Sequence, residues 1–326
     1  MKNRTQSGGF GLIAALLVVT VTIVLMFGLI EKVIENKKSP GSLNYTDSGD
    51  SKIYYNDSWY TLNKSIKTLL VLGIDRMSEK ESAPSQADFI ALVVMDKADE
   101  SFRILHINRD TMIDINQLDK HGNKYGSFKA QLALAHSYGG TDKIQCRNTV
   151  ASVEKLLYGI DIDHYMSVTM DAVPIINDSI GGVTLTLDAD YPALGSKYVK
   201  NAEITLMGED ALTFVRWRND SPDSSNLERM ERQRAYIAAA FEQYSTLDDD
   251  PALDTMFDIS EYLVSDCTVN QLSDLLEDLQ GYTYNGTFPV EGEAKKGSEY
   301  VEFYADEDAL KQTVIDLFYK QEGDAR

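Results

Sequence analysis

Residues 67–76, KTLLVLGIDR, with residues 88–95, DFIALVVM, and residues 101–111, SFRILHINRDT, decide how this chain is read. They read as three strands joined by two loops, apolar along their length and charged only where they stop. Near-continuous apolar runs are what a parallel or mixed sheet covered on both faces requires. Ligands of open α/β sheets bind beyond the strand ends. Asp75, Arg76, Asp88, Arg109 and Asp110 all fall at such ends. Carboxylates are hard oxygen ligands suited to Mg²⁺ or Mn²⁺, and the planar fork of arginine matches phosphate oxygens. Acids and arginines gathered at one sheet edge therefore point to a metal-bound phosphate.

Outward from this stretch, a polar loop runs to about Tyr125, and residues 127–138 read as a helix stopped by Gly139-Gly140. A second helix is capped by Thr141 and closes at Leu157-Tyr158-Gly159. Residues 164–170 alternate as a strand, Asp171 caps a helix with Pro174 in its first turn, and residues 183–187 alternate again. Strand, helix and strand in repetition predict an α/β fold, an α-β-α sandwich around a mixed central sheet. His136, beside Ala and Leu in the expected helix, reads as core rather than ligand.

A second informative stretch is residues 208–244. Residues 210–215 read as a short helix, after which Arg216 and Arg218 flank Trp217 and would share one face of extended backbone. Beyond a loop containing Pro222, the residues Leu227, Met230, Ile237 and Phe241 make one helical stripe. Arg229, Arg232, Gln233 and Tyr236 make the adjacent one. Five of the eleven arginines lie between Arg216 and Arg234, in a chain of 326 residues with formal charge −20. Arg234 reads as a solvated partner of Glu228 and Glu231, and the other four as anion ligands. The acidic balance argues against nucleic acid as a partner, since that affinity rests on many Lys and Arg neutralising phosphates.

Taken together and in order, Leu70-Val71-Leu72-Gly73-Ile74-Asp75, Asp88, Arg109-Asp110-Thr111, His136-Ser137-Tyr138-Gly139-Gly140, Ile180-Gly181-Gly182-Val183, Phe214-Val215-Arg216-Trp217-Arg218 and residues 229–234 resemble the motifs of the LytR-CpsA-Psr family, bacterial cell-envelope glycopolymer ligases. The resemblance covers residues 66–245. It implies a phosphotransferase that moves a glycopolymer from a polyprenyl-pyrophosphate carrier in the membrane lipid to peptidoglycan. By the same resemblance Asp75 and Asp88 hold Mg²⁺ or Mn²⁺, Arg109 stabilises developing charge, and Asp110 is a candidate base. Arg76, Arg109, Arg216, Arg218, Arg229, Arg232 and Gln233 bind the pyrophosphate, and an apolar tunnel houses the polyprenyl chain. A polyprenyl-pyrophosphate hydrolase at the same site, and a non-catalytic envelope regulator or polymer-binding protein, stand as alternatives. The chain departs from the pattern at Gln86-Ala87, where Arg-Ser is usual, at Asn108, where proline is usual, and at Ala133 and Asn226, where polar and acidic residues are common.

Residues 10–30 carry no charge and are long enough to cross a hydrocarbon core of about 30 Å. They predict a single transmembrane helix (10–31) after a cytoplasmic tail (1–9) bearing Lys2 and Arg4, with the rest of the chain extracytoplasmic. A cleaved signal peptide is the competing reading; the run exceeds a usual signal core, and Phe27-Gly28-Leu29-Ile30 offers no small-x-small cleavage site. Residues 32–65 read as an extracytoplasmic stalk with room for one short strand. Residues 66–245 read as the catalytic core, and residues 246–326 as elements completing the same domain. The two cysteines, Cys146 and Cys267, leave an extracytoplasmic disulfide open.

Overall fold

A computed structural model describes residues 52–76, 85–218, 226–247, 251–267, 271, 282–298 and 300–322. The expected tail, membrane span and first part of the stalk, and the loops holding Pro84 and Pro222, lie outside the described residues. The described chain opens with a hairpin, β1 (Lys52–Tyr55) and β2 (Ser58–Leu62). Its two-residue turn, Asn56-Asp57, takes positive φ at both positions, which Asn and Asp tolerate and which matches the twist of the flanking strands. The last part of the stretch read as a stalk is thus already sheet.

The centre is built from β3 (Ile66–Ile74), β4 (Ala87–Asp96) and β5 (Ser101–Ile107), paired antiparallel in sequence. With β8 (His164–Thr169), β11 (Leu263–Ser265) and β12 (Thr283–Pro289) they form a six-stranded sheet in the order β11-β8-β3-β4-β5-β12. β8 runs parallel to β3, and β12 parallel to β5, so the sheet is mixed. Side chains alternate between its faces. Leu69, Val71, Ala91 and Val93 enter one core, while Leu70, Leu72, Ile90 and Leu92 enter the other. Both faces are buried in apolar cores, which is why these strands read as unbroken apolar runs.

The second face is closed by α1 (Asp142–Leu156), through Val153 and Leu156, together with a late C-terminal helix. Thr141 caps α1, its side chain accepting from the Ile144 amide at 3.4 Å. On the first face lie α2 (Ala172–Ser179), α3 (Glu209–Arg216), α4 (Leu227–Ser245) and α5 (Ala252–Ile259), anchored by Ile176, Phe214, Phe241 and Ile259. Between α2 and α3, β9 (Val183–Thr186) and β10 (Glu203–Leu206) form a small antiparallel pair. Asp171 precedes α2 but makes no side-chain capping bond.

The expected helix over residues 127–138 is absent. β6 (Met112–Leu118) and β7 (Lys124–Gln131) form a hairpin, and only residues 132–137 coil, as a 3₁₀ turn. The polar loop expected after Thr111 is therefore largely strand. The alternation Met112-Ile113-Asp114-Ile115-Asn116 suits a strand, and the hairpin partner supplies the backbone bonds that a helix would have made internally. Gly126 belongs to this pairing, since a Cβ there would sit 2.6 Å from Gln117 Oε1.

The C-terminal elements are joined to the same framework. After β12 come β13 (Gly292–Lys296) and β14 (Val301–Ala305), then α6 (Glu307–Phe318) and β15 (Tyr319–Gln321). α6 is the C-terminal helix on the second face, and β15 pairs with β2. The Phe303 amide donates to the Asp110 carbonyl at 3.0 Å, bringing the β13–β14 hairpin against the loaded sheet edge. Leu92 is 0% exposed in the middle of β4. Leu92→Ala is expected to lower unfolding free energy by about 2–5 kcal/mol in denaturant titration, whereas Val199→Ala on the surface should stay within about 0.5 kcal/mol.

Candidate functional site

The site lies where β3 and β5 end and β4 begins. Ile74 pairs with Ala87, and the Asp75 amide donates to the Gln86 carbonyl at 3.0 Å, so Asp75 and Asp88 flank one register position of adjacent strands. Arg109 and Asp110 follow β5 directly. Asp88 is buried, with each carboxylate oxygen taken by a different arginine. Arg109 Nη1 donates to Oδ1, and Arg229 Nη1 to Oδ2 at 3.1 Å. Arg229 comes from α4, the first-face helix, and its Nη2 also donates to the Asp88 carbonyl at 3.3 Å. Arg109 Nη2 is held by Gln86 Oε1 at 2.6 Å, and its Nε lies 3.3 Å from Asp110 Oδ1 without hydrogen-bonding geometry. The buried Nε atoms of Arg109 and Arg229 have no hydrogen-bond partner. Buried donors of a cation left over in this way suit an anion supplied from outside.

The seven residues expected to bind pyrophosphate do not stand alike. Arg109 and Arg229 are the buried centre. Arg216 pairs with Asp75 at 3.1 Å, at the half-exposed rim. It is the last residue of α3 rather than part of an extended segment, because the helix continues one residue further than the sequence suggested. Burial lowers the Arg229 guanidinium, and Arg218, exposed, is near enough to add to that and to favour ionisation of Asp110. Gln233 donates to the Val215 carbonyl at 3.1 Å.

Arg76 and Arg232 are engaged elsewhere. Arg76 makes a bidentate pair with Asp142 at the start of α1, at 3.1 and 2.9 Å. Arg232 is buried; its Nε donates to the Phe214 carbonyl at 3.2 Å, Nη1 to that of Glu228 at 3.5 Å, and Nη2 to that of Trp217. Its guanidinium also lies over the rings of Tyr191 and Trp217, at 5.2 and 5.1 Å. The open carbonyls of Phe214 and Trp217 at the end of α3 take two of these donors, so Arg232 is the fastener that sets the direction in which Arg216 and Trp217 leave the helix.

Behind Asp88 and Arg229 a cavity of about 160 Å³ runs between the sheet and the first-face helices. Asp88, Arg216, Arg229 and Gln233 stand at its polar end, whereas Val93, Ile104 and Phe241 line the apolar part. Gly73 borders it where a Cβ would meet Phe89 Cβ at 2.9 Å, so the strands close on each other there only because the side chain is missing. The combination can hold a charged group at one end and a hydrocarbon chain at the other.

Asp110 accepts from Gln131 Nε2 at 2.9 Å. Burial raises its pKa above the ordinary carboxylate value, although Arg109, Arg229 and Arg218 oppose that shift. For the metal, the donor chemistry fits: Asp75 and Asp88 offer hard oxygens, and each Asp88 oxygen keeps a lone pair after accepting its guanidinium bond.

Of the supporting residues, Gln131 and His106 gave no sequence signal. Asn108 Oδ1 accepts both from the Asp110 amide at 3.0 Å and from Asn226 Nδ2 at 3.1 Å, so two of the departures from the family pattern bond to each other. His106 is buried against Phe89, and burial with Arg234 and Arg229 nearby holds it down to about 3, hence neutral. His136 is structural, between Ser85 Oγ at 3.1 Å and Cys146 Sγ at 3.6 Å, and burial lowers it to about 4. Arg234 is partly buried and faces Glu231 and Glu291 rather than Glu228. Cys146 and Cys267 are free thiols rather than a disulfide, Cys146 being fully buried and held by His136 and Ser167.

A family model described as the LytR_cpsA_psr family matches residues 30–316. The polyisoprenyl-teichoic acid–peptidoglycan teichoic acid transferase TagU of Bacillus mycoides is 25% identical over 249 residues, 76% of each chain. TagU of Bacillus subtilis is 24% identical over 323 residues, 97% of this chain and 98% of that one. Among solved structures, TagT bound to LI-WTA superposes with TM-score 0.59 and 22% identity over 78% of this chain and 90% of that one. TagV of B. subtilis superposes with TM-score 0.59 and 24% identity, over 78% and 97%. At these identities the structures speak for the fold.

Two substitutions separate the fastener from the rim arginine. Arg232→Ala should cost about 2–4 kcal/mol in thermal or denaturant unfolding, because it strips buried carbonyls of their donors. Arg216→Ala, breaking a rim pair, should cost no more than about 1 kcal/mol while weakening pyrophosphate binding in calorimetry.

Proposed function

We propose a function from a plain premise: the chain belongs to the LytR_cpsA_psr family. It is a transferase that moves a glycopolymer from a polyprenyl-pyrophosphate carrier onto peptidoglycan, in line with the names its relatives carry. One juxtaposition supports this most: buried guanidiniums with unused donors, beside carboxylates, at the polar mouth of an apolar cavity. The pyrophosphate lies against Arg109, Arg229 and Arg216, and Arg218 approaches from the rim. The polyprenyl chain enters the cavity toward Phe241. The apolar segment 10–31 serves as the anchor, with an N-terminal cytoplasmic tail and the catalytic domain outside, close to its lipid-borne donor.

An acceptor sugar hydroxyl attacks the phosphorus nearest the polymer. A new P–O bond forms, the bond from that phosphorus to the bridging oxygen breaks, and polyprenyl phosphate leaves with the electron pair. Asp110 takes the hydroxyl proton, and Gln131 keeps its carboxylate turned toward Arg109. Arg109 and Arg229 stabilise the charge that grows on the phosphoryl oxygens, in a site shielded from water. Asp75 and Asp88 would hold Mg²⁺, with Mn²⁺ as a substitute, and the bound ion supplies further neutralisation of the pyrophosphate.

The test is transfer or cleavage of a polyprenyl-pyrophosphate glycan by purified protein, with and without Mg²⁺. Arg109→Ala is expected to lower the rate about 10²–10³-fold, the usual cost of removing one charge-stabilising donor, and Asp75→Ala should abolish the response to Mg²⁺. Wild-type rates in Arg109→Ala would refute the assignment. Asp110 must be ionised to accept a proton, and burial raises its pKa, so activity should rise with pH through a value above the ordinary carboxylate range. Asp110→Asn should remove that limb. Stability runs the opposite way: the group's contribution is present below its unfolded pKa and is lost as pH rises through the raised folded value, so Asp110→Asn should be relatively stabilised at neutral pH.

A further inference from the structure

At the other edge of the central sheet, far from the arginines, three different metal-binding side chains converge. β11 pairs antiparallel with β8 with Ser265 opposite Met166, and continuing that register sets Asp266 beside Tyr165 and Cys267 beside His164. His164 stands beside Leu69, five residues before the Ile74–Thr169 pair that ends the strands at the catalytic edge, roughly 16 Å at the rise of a strand. One ligand atom from each of His164, Asp266 and Cys267 lies within 4.8 Å of the others. His164 Nδ1 is 3.6 Å from Asp266 Oδ1, and this buried nitrogen has no hydrogen-bond partner.

The carboxylate and thiol are held in place before any ligand arrives. Asp266 Oδ1 accepts from the Tyr165 amide at 2.9 Å. Ser265 Oγ donates to the Tyr165 carbonyl at 2.7 Å and accepts from the Cys267 amide at 3.1 Å. Tetrahedral zinc, with bonds of about 2.0–2.3 Å, separates its ligand atoms by roughly 3.3–3.6 Å, close to the His164–Asp266 distance. Thiolate, imidazole and carboxylate together suit a borderline ion such as Zn²⁺ far better than Mg²⁺ or Ca²⁺.

We propose that His164, Asp266 and Cys267 form a second cation site, selective for Zn²⁺-class ions, which clips the short edge strand β11 to β8 and leaves a fourth position to solvent. This goes beyond the transfer reaction and does not depend on it. The thiol of Cys267 belongs to this cluster, whereas Cys146 is buried in the core on the sheet's second face.

The test is Co²⁺ titration of the full-length chain after chelator treatment, read by absorption. One equivalent should give the tetrahedral d–d bands and a thiolate-to-cobalt charge-transfer band, both erased by Zn²⁺. Cys267→Ser should lose the charge-transfer band, and His164→Ala should weaken binding by at least about tenfold, with circular dichroism confirming that both remain folded. Cobalt held by Asp75 and Asp88 lacks a sulfur ligand and gives no such band, so the two sites are told apart. Absence of the band in wild type, or its survival in Cys267→Ser, would overturn the proposal.

Discussion

The shared carboxylate of Asp88 is the constraint on which the functional edge of this protein rests. Two guanidiniums from different elements, Arg109 after β5 and Arg229 on α4, bond to its two oxygens in a buried setting. Burying either cation alone would be costly; the carboxylate between them offsets that cost and fixes the distance from the helix to the sheet. Asp110 brings the second negative charge, so two arginines and two acids nearly balance. Burial works against that balance by raising the pKa of Asp110, although Arg109, Arg229 and Arg218 oppose the shift.

That packing explains why arginines so similar in sequence diverge in role. Phe214, buried in the first-face core, brings the end of α3 over the cavity and exposes carbonyls there. Arg232, one turn of α4 after Arg229, lands on those carbonyls and between two aromatic rings. Its fork is used in building the mouth of the site. Arg76 likewise meets Asp142 at the start of α1, where a negative charge is also favoured by the helix dipole. Arg109 and Arg229 instead meet Asp88, and Arg216 meets Asp75, at the edge where β3 ends and β4 begins.

The departures from the family pattern gain a physical account from the same geometry. A proline at 108 would offer no side-chain acceptor, and an aspartate at 226 would set a carboxylate against Asn108 Oδ1; the pair Asn108 and Asn226 bonds instead. Gln86, where arginine is usual, gives Arg109 an acceptor rather than a second cation. Each of these residues makes a hydrogen bond in the cluster, and Gln86 alone among them removes a positive charge.

The sequence by itself determined the sheet and the chemistry placed at its edge. The unbroken apolar runs of β3, β4 and β5 could be satisfied only by burial on both faces, which left their charged residues gathered where the strands stop. The spacing of Arg229, Gln233 and Tyr236 set all three on one face of α4, which lines the cavity. Only the tertiary structure decided that residues 124–131 would be strand, because their backbone partners lie on β6 in a hairpin the local pattern did not reveal. It alone decided, too, that Arg109 and Arg229 would share Asp88 while Arg76 met Asp142 and Arg232 the end of α3, and that His164 would meet Asp266 and Cys267. Those outcomes depend on partners distant in sequence: local periodicity fixes the face a side chain occupies, and packing fixes what stands opposite it.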